Sequence, residues 1–237
     1  MVDLVGKVVF LTGSTRGIGA AISEKLNAAG ATVIGAGANA SKYNDVKEYY
    51  QANFNFKEEI YDCANYLRVL KPDILINNAG INNNQPFVDC DPEVFLQIQQ
   101  VNLFAPFCLS QAVIPGMKSK GWGRIVNVSS IWGIISKEHR AAYSASKFAL
   151  DGVTLALALE HAKDGILANC VAPGFTDTDL TRGTLGGTGI AKILAQVPIG
   201  RLACPEEIAK FIVWLASHEN TYITGQNIVI DGGFTRG

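Results

Sequence analysis

The sequence predicts an α/β domain, a parallel sheet buried on both faces and covered by helices on each side. Short, almost wholly apolar runs such as Lys7-Val-Val-Phe-Leu11 and Asp73-Ile-Leu-Ile76 suit strands with no solvent-facing side. They alternate with longer stretches of helical character, which favours parallel over antiparallel pairing. Glycines and small residues follow the strand ends at 13–19, 77–80 and 173–174. At 237 residues, 48% apolar and 17% charged, the chain suits one large domain or at most two small ones.

The first strand, 7–11, runs into Thr12-Gly-Ser-Thr-Arg-Gly-Ile-Gly19 and then a helix over 20–29. Backbone N–H groups at a strand–loop–helix junction can cradle a pyrophosphate. Gly13, Ser14, Thr15, Arg16, Gly17, Ile18 and Gly19 are therefore dinucleotide-binding candidates. The spacing departs from G-x-G-x-x-G, no Lys-Ser/Thr follows, and a plain glycine turn would look the same. Residues 31–37 read as the second strand. A carboxylate at its end would hold the adenosine ribose hydroxyls, but the chain continues Gly37-Ala-Asn-Ala-Ser-Lys42 with no acid before Asp45. That removes the repulsion of a 2′-phosphate, and Arg16 offers the matching cation, with Asn39, Ser41 or Lys42 beside it. NADP(H) is favoured. NAD(H) stays possible if these are merely solvent-facing loop residues.

Residues 42–56 show little periodicity, so any helix there is short or irregular. A third strand is expected at 49–54, with Asn53 near its end facing the adenine, and then a helix over 57–70. The fourth strand, 73–76, enters Asn77-Asn-Ala-Gly80. Small residues there admit a ligand, making Asn78, Ala79 and Gly80 cofactor candidates, while Asn77 either braces the loop or touches the cofactor. One long helix is expected over 91–117, bent at Pro106 and with Pro115 near its end. Asn102 within it is either a satisfied packing polar or a group that holds a water or orients Lys147. A fifth strand (121–129), a helix (143–161) and a sixth strand (166–171) precede the break at Pro173-Gly174. Residues 176–200 read as a glycine-rich loop with a short helix at 190–196, a substrate lid in expectation. They carry no charged cluster beyond Arg182 and Lys192. Pro205-Glu-Glu-Ile starts a helix reaching about 216, with acids near its positive end. A seventh strand, 225–230, is closed by Asp231-Gly-Gly233.

Tyr143 and Lys147 are four apart, so on a helix they share one face. An ammonium beside a phenol favours the phenolate, and a tuned phenol can exchange a proton with a substrate oxygen. Thirteen residues upstream, Ser130 ends an apolar run where its hydroxyl can reach the same oxygen. An ordinary surface helix would also carry such a pair. Lys+Arg 20 against Asp+Glu 21 leaves no electrostatic footprint for nucleic acid or an anionic membrane. Five scattered cysteines without a Cys-x-x-Cys pair indicate neither a disulfide frame nor a metal cluster. No window reaches ~18 apolar residues, so a soluble, cytoplasmic protein is expected.

Taken together, these motifs resemble those of the short-chain dehydrogenase/reductase family over essentially the whole chain. The resemblance implies a single-domain Rossmann fold: a seven-stranded parallel sheet with helices on both faces. It implies catalytic roles for Asn102, Ser130, Tyr143 and Lys147, the last two also touching the cofactor. It implies that Pro173, Gly174, Thr176 and Thr178 contact the nicotinamide side. Within the family the chain looks most like 3-oxoacyl-[acyl-carrier-protein] reductases, through Val128-Ser-Ser-Ile, Ala172-Pro-Gly-Phe, Thr178-Asp-Leu and Asp231-Gly-Gly-Phe. The implied activity is NADPH-dependent reduction of a ketone or 3-oxoacyl carbonyl, with no metal. The alternative is an NAD(H)-dependent alcohol, polyol or sugar dehydrogenase. A catalytically idle NADP-binding regulator would explain the glycine loop but not the Asn/Ser/Tyr/Lys set. The resemblance also implies a homodimer or homotetramer, and possible docking of an acyl carrier protein on Arg124, Lys137, Arg140 and Lys163. Trp132 and His139 are candidates for shaping the substrate pocket.

Overall fold

The computed structural model describes residues 2–38 and 46–237. Its strands are β1 (Val8–Thr12), β2 (Thr32–Gly37), β3 (Glu48–Gln51), β4 (Ile74–Asn77), β5 (Gly123–Val128), β6 (Ile166–Pro173) and β7 (Asn227–Ile230). All pair in parallel in the order β3-β2-β1-β4-β5-β6-β7. The helices are α1 (Gly17–Ala28), α2 (Lys57–Leu70), α3 (Pro92–Gln99), α4 (Ala105–Lys120), α5 (Ala141–His161), α6 (Asp179–Leu194) and α7 (Pro205–Leu215).

Alternation along the strands explains their unbroken apolar character. Val9 and Leu11 enter a core with Ile22 and Leu26 of α1 and Ile208 and Ile212 of α7. Phe10, between them, enters the opposite core with Ile60 and Leu67 of α2, Leu109 and Val113 of α4, and Leu157 of α5. A polar residue at any of these positions would face one core or the other. Chain order runs outward in both directions from β1 and β4. Their carboxyl ends, aligned by the Thr12–Asn77 and Asn77–Asn127 registers, therefore flank a crevice.

The structure corrects three expectations. The third strand is shorter than 49–54: it pairs with β2 only over Glu48–Gln51, and Phe54 turns into the core. The long helix over 91–117 is two helices, α3 and α4, joined by a π-helical turn over Gln100–Phe104. Pro106 opens α4, whereas Pro115 lies inside it. Residues 176–200 contain a 16-residue helix, α6, in place of a loop with a short helix at its end. Thr178 caps it, its Oγ1 accepting from the Thr181 amide at 3.3 Å, and Asp179 sits at the positive end of the backbone dipole. Glycine costs a helix about 1 kcal/mol relative to alanine, a penalty the cap and the buried Ile193 offset in part.

Candidate active site

A cleft of about 570 Å³ lies over the crevice. Gly13, Thr15, Arg16, Gly17, Ile18, Gly19 and Asn53 line one end, and Asn78, Ala79 and Gly80 its middle. Ser130, Tyr143, Lys147, Pro173, Gly174, Thr176 and Thr178 line the other. Ser14 is not among them: it is buried, its hydroxyl in the space a Cβ on Gly35 would need. Asn39, Ser41 and Lys42 lie outside the described residues.

The loop between β1 and α1 is built for close approach. Gly13 (φ 66°) and Gly17 (φ 52°) have left-handed backbones, and a Cβ on Gly13 would lie 2.9 Å from Ala79 Cα. A Cβ on Gly19 would strike the Gly13 carbonyl oxygen. Thr12 and Asn78 hold the neighbouring strand ends together: Thr12 Oγ1 accepts from the amides of Asn78 and Ala79 at 3.0 Å, and Asn78 Nδ2 donates to the Gly13 carbonyl at 2.9 Å. Behind them Asn77 Nδ2 donates to Asn127 Oδ1 at 2.8 Å, so Asn77 braces. The start of α1 has neither a side-chain cap nor an acid in its first turn, leaving its amides and positive dipole end for an anionic ligand. This cradle, opening onto a cleft that reaches Tyr143, fits a dinucleotide.

At the other end, Ser130 follows β5 and caps the short turn Ile131–Gly133, its Oγ accepting from the Trp132 amide at 3.2 Å. Tyr143 and Lys147 project from the first turns of α5. Burial pushes the Tyr143 phenol above its usual range, while a hydrogen bond with Ser130 and the charge of Arg140 pull it back. Lys147 Nζ donates to the Val128 carbonyl at 2.8 Å and lies 5.6 Å from the centre of the Tyr143 ring. Burial lowers its pKa to about 8.

Asn102 does not line the cleft. It sits in the π-helical turn, its Oδ1 accepting from the Ile81 amide and its Nδ2 donating to the Ile81 carbonyl, both at 2.9 Å. Nδ2 also donates to Ser146 Oγ at 3.1 Å. Wide turns of this kind recur at functional sites because they redirect one side chain without ending the helix.

Sequence reasoning missed two aromatic residues and the place of one cation. Trp132, Phe175 and Phe234 form an edge-to-face cluster with ring centres 5.1–6.2 Å apart, and Trp132 and Phe175 wall the cleft beside Tyr143. Arg140 lines the same end, its guanidinium 5.3 Å from the Trp132 ring centre. The separation of Phe175 and Phe234 from Trp132 along the chain gives no spacing signal. His139 is exposed and does not line the cleft. The four cations considered for carrier docking do not gather. Arg124 is buried, donating to the Ser217 and Asn220 carbonyls, and Lys163 precedes the amino end of β6, at the other end of the strands from the cleft. Among the described residues there is no cluster of potential metal ligands, and no helix long and apolar enough to cross a membrane.

Comparison with known proteins agrees with this architecture. The family profile described as enoyl-(acyl carrier protein) reductase matches residues 13–235. The 3-oxoacyl-[acyl-carrier-protein] reductase of Escherichia coli (strain K12) is 40% identical over 237 aligned residues, covering 96% of this chain and 97% of that protein. Among solved structures, a protein proposed to be an NAD(P)-dependent gluconate 5-dehydrogenase from Beutenbergia cavernae, with NADP bound at low occupancy, superposes with TM-score 0.95. It is 32% identical, with 99% of each chain covered. A 4-hydroxyisoleucine dehydrogenase complexed with NADH gives TM-score 0.91 at 33% identity, covering 98% of this chain and all of that one.

Proposed function

The chain belongs to the short-chain dehydrogenase/reductase family, and from that premise we propose that it interconverts a small, polar secondary alcohol and its ketone, with NADP(H) as the preferred coenzyme. As a member it is an NAD(P)-dependent oxidoreductase of carbonyl and hydroxyl groups. The observation that carries the finer reading is the convergence of Ser130, Tyr143 and Lys147 at the end of the cleft opposite the glycine cradle.

A nicotinamide seated there would exchange hydride with the substrate carbon. Tyr143 gives its phenolic proton to the developing alkoxide in reduction and takes the hydroxyl proton in oxidation. Ser130 donates a hydrogen bond to the same oxygen. Lys147, held on the Val128 carbonyl, would hold the ribose of the nicotinamide half. Asn102 spends its amide on Ile81 and Ser146, so its part is to position the backbone beside Lys147. The candidate lid is α6, which reaches the cleft through Thr178, Asp179 and Thr181.

The aromatic wall and the scattered carrier-docking cations favour a compact substrate of the alcohol, polyol or sugar class. The likeness to the solved dehydrogenases points the same way. The second reading, a 3-oxoacyl-[acyl-carrier-protein] reductase, draws on the 40% identity to that enzyme over almost the whole chain. Leu96, Phe107, Phe148, Leu155 and Leu159 leave an apolar face exposed across α3, α4 and α5, and a homodimer or homotetramer would cover it.

Coenzyme oxidation measured against keto-sugars, small oxo compounds and acetoacetyl thioesters separates the two substrate readings. Turnover confined to thioesters would put the acyl-carrier-protein reductase first. Tyr143→Phe should lower turnover by ~10²–10⁴-fold while the circular dichroism spectrum stays unchanged. A variant keeping most of its activity would remove Tyr143 from the acid/base role.

A further inference from the structure

We propose that Arg140 anchors a carboxylate on the substrate, so that the substrates are small hydroxy acids and their oxo counterparts. This rests on the proposed alcohol–ketone chemistry, since it names the substrate class of the same site.

Among the described residues three cations line the cleft, Arg16, Arg140 and Lys147. Arg16 lies at the glycine-loop end, and Lys147 is held on the Val128 carbonyl. Arg140 stands at the substrate end. Among the described residues it makes no ion pair, and its one directional contact is with the face of Trp132. It is half-buried, and that burial lowers its pKa. An unpaired cation withdrawn from water is costly unless a ligand completes it.

The backbone aims it there. His139 has a left-handed φ of 64°, and Arg140 (φ −115°, ψ 9°) then leads directly into α5. Histidine enters that region more readily than most non-glycine residues, but the conformation is still strained. Arg140 occupies the N-cap of the helix, three residues before Tyr143, and both side chains line this end of the cleft. A carboxylate on the guanidinium and a carbonyl on the phenol would then be a few bonds apart in one molecule. The planar fork of arginine can take both carboxylate oxygens, fixing the orientation of the carbon that exchanges hydride. A neutral substrate would fill the chamber and leave the guanidinium unsatisfied. The competing role is packing, with the aliphatic stem of Arg140 covering Trp132. In that case the residue would not distinguish an acid from its ester.

The test uses matched pairs, with the carboxylate set at increasing distance from the ketone. These are 2-oxobutyrate, acetoacetate and levulinate, each against its methyl ester, assayed by NADPH oxidation. At least one acid should exceed its ester in kcat/KM by ~30-fold, and Arg140→Ala should bring that acid-to-ester ratio to within ~3-fold of one, any loss that acts through Tyr143 falling on acid and ester alike. Arg140→Lys should recover part of the loss. Esters that match or outrun every acid, or an Arg140→Ala variant that leaves the acid-to-ester ratio unchanged, would overturn the proposal. A second measurement needs no turnover: quenching of tryptophan fluorescence by the same acids in the presence of NADPH, with the Tyr143→Phe protein to prevent reaction. Saturable quenching by an acid that disappears on adding Arg140→Ala supports the anchor, and no acid-specific binding overturns it. If Tyr143→Phe still consumed NADPH, the acid/base reading would fail while the binding comparison stood.

Discussion

Lys147 is a charged residue placed where charge is expensive, and its pH response is readable. Its pKa falls to about 8 in the fold from 10.5 when free. Below pH 8 both states carry the proton, and the folded state bears the cost of the buried ammonium. Between about 8 and 10.5 the folded protein releases the proton while the unfolded chain keeps it, so stability rises with pH through this group. The difference in unfolding free energy between wild type and Lys147→Met should be flat below about pH 7 and climb above about pH 8. Its slope should not exceed ~1.4 kcal/mol per pH unit. A difference that falls or stays level up to about pH 10 would show that Lys147 titrates normally. The sequence displayed Ser130, Tyr143 and Lys147 because one helical turn and one strand end bring them together. It hid Arg140 as a pocket residue, since nothing in a three-residue spacing says that Trp132 lies beneath it. Phe175 and Phe234 were hidden for the same reason: tertiary packing alone makes them neighbours of Trp132.

At the scale of elements, the β1–loop–α1 unit was legible because its glycines answer local demands, a left-handed turn and a close backbone contact. Its coenzyme preference is the prediction that belongs here. Arg16 lines the cleft, is exposed, and makes no ion pair among the described residues, so it is available to a 2′-phosphate. NADPH should bind ~10–100-fold more tightly than NADH, and Arg16→Ala should bring the two together by weakening NADPH alone. Fluorescence titration of the reduced coenzymes checks this, and equal affinities in the wild type would remove Arg16 as the selector. The elements that misled did so for physical reasons. The glycines of α6 argue locally for a loop, but its cap and buried anchor hold a helix. The π-helical turn keeps the apolar character of its neighbours, so periodicity runs through it without a break.

At the scale of the molecule, the apolar central strands announced the parallel sheet, while its lateral order came only from the pairing. The apolar face remains the feature a lone chain does not explain. Leu159 is 76% exposed, and an open groove lined by Leu96, Leu103, Phe104 and Phe107 of the α3–α4 segment meets Val153 of α5. Light scattering after gel filtration should give the mass of a dimer or tetramer at micromolar concentration. Leu155→Glu with Leu159→Glu should shift it toward the monomer and lower thermal stability. A wild-type protein that runs as a monomer would mean that this face is covered by something else, or by nothing.

The π-helical turn also constrains how the gene can vary. Its five residues carry one more than a regular turn requires, and in an α-helix each residue advances the side-chain direction by about 100°. Deleting a single codon there would let the segment anneal into one straight helix with the positions downstream kept nearly in phase, whereas a deletion elsewhere in α3 or α4 would rotate everything beyond it by that angle. In that second case Leu109 and Val113 of α4 would leave the core shared with α2, or else α3 would lose its seat against α5. Deletion within the turn would spare the core but not the site. Asn102, at the point of adjustment, would part from Ile81. The extra residue is therefore kept for the direction it gives Asn102, and losing it should cost the site more than the fold.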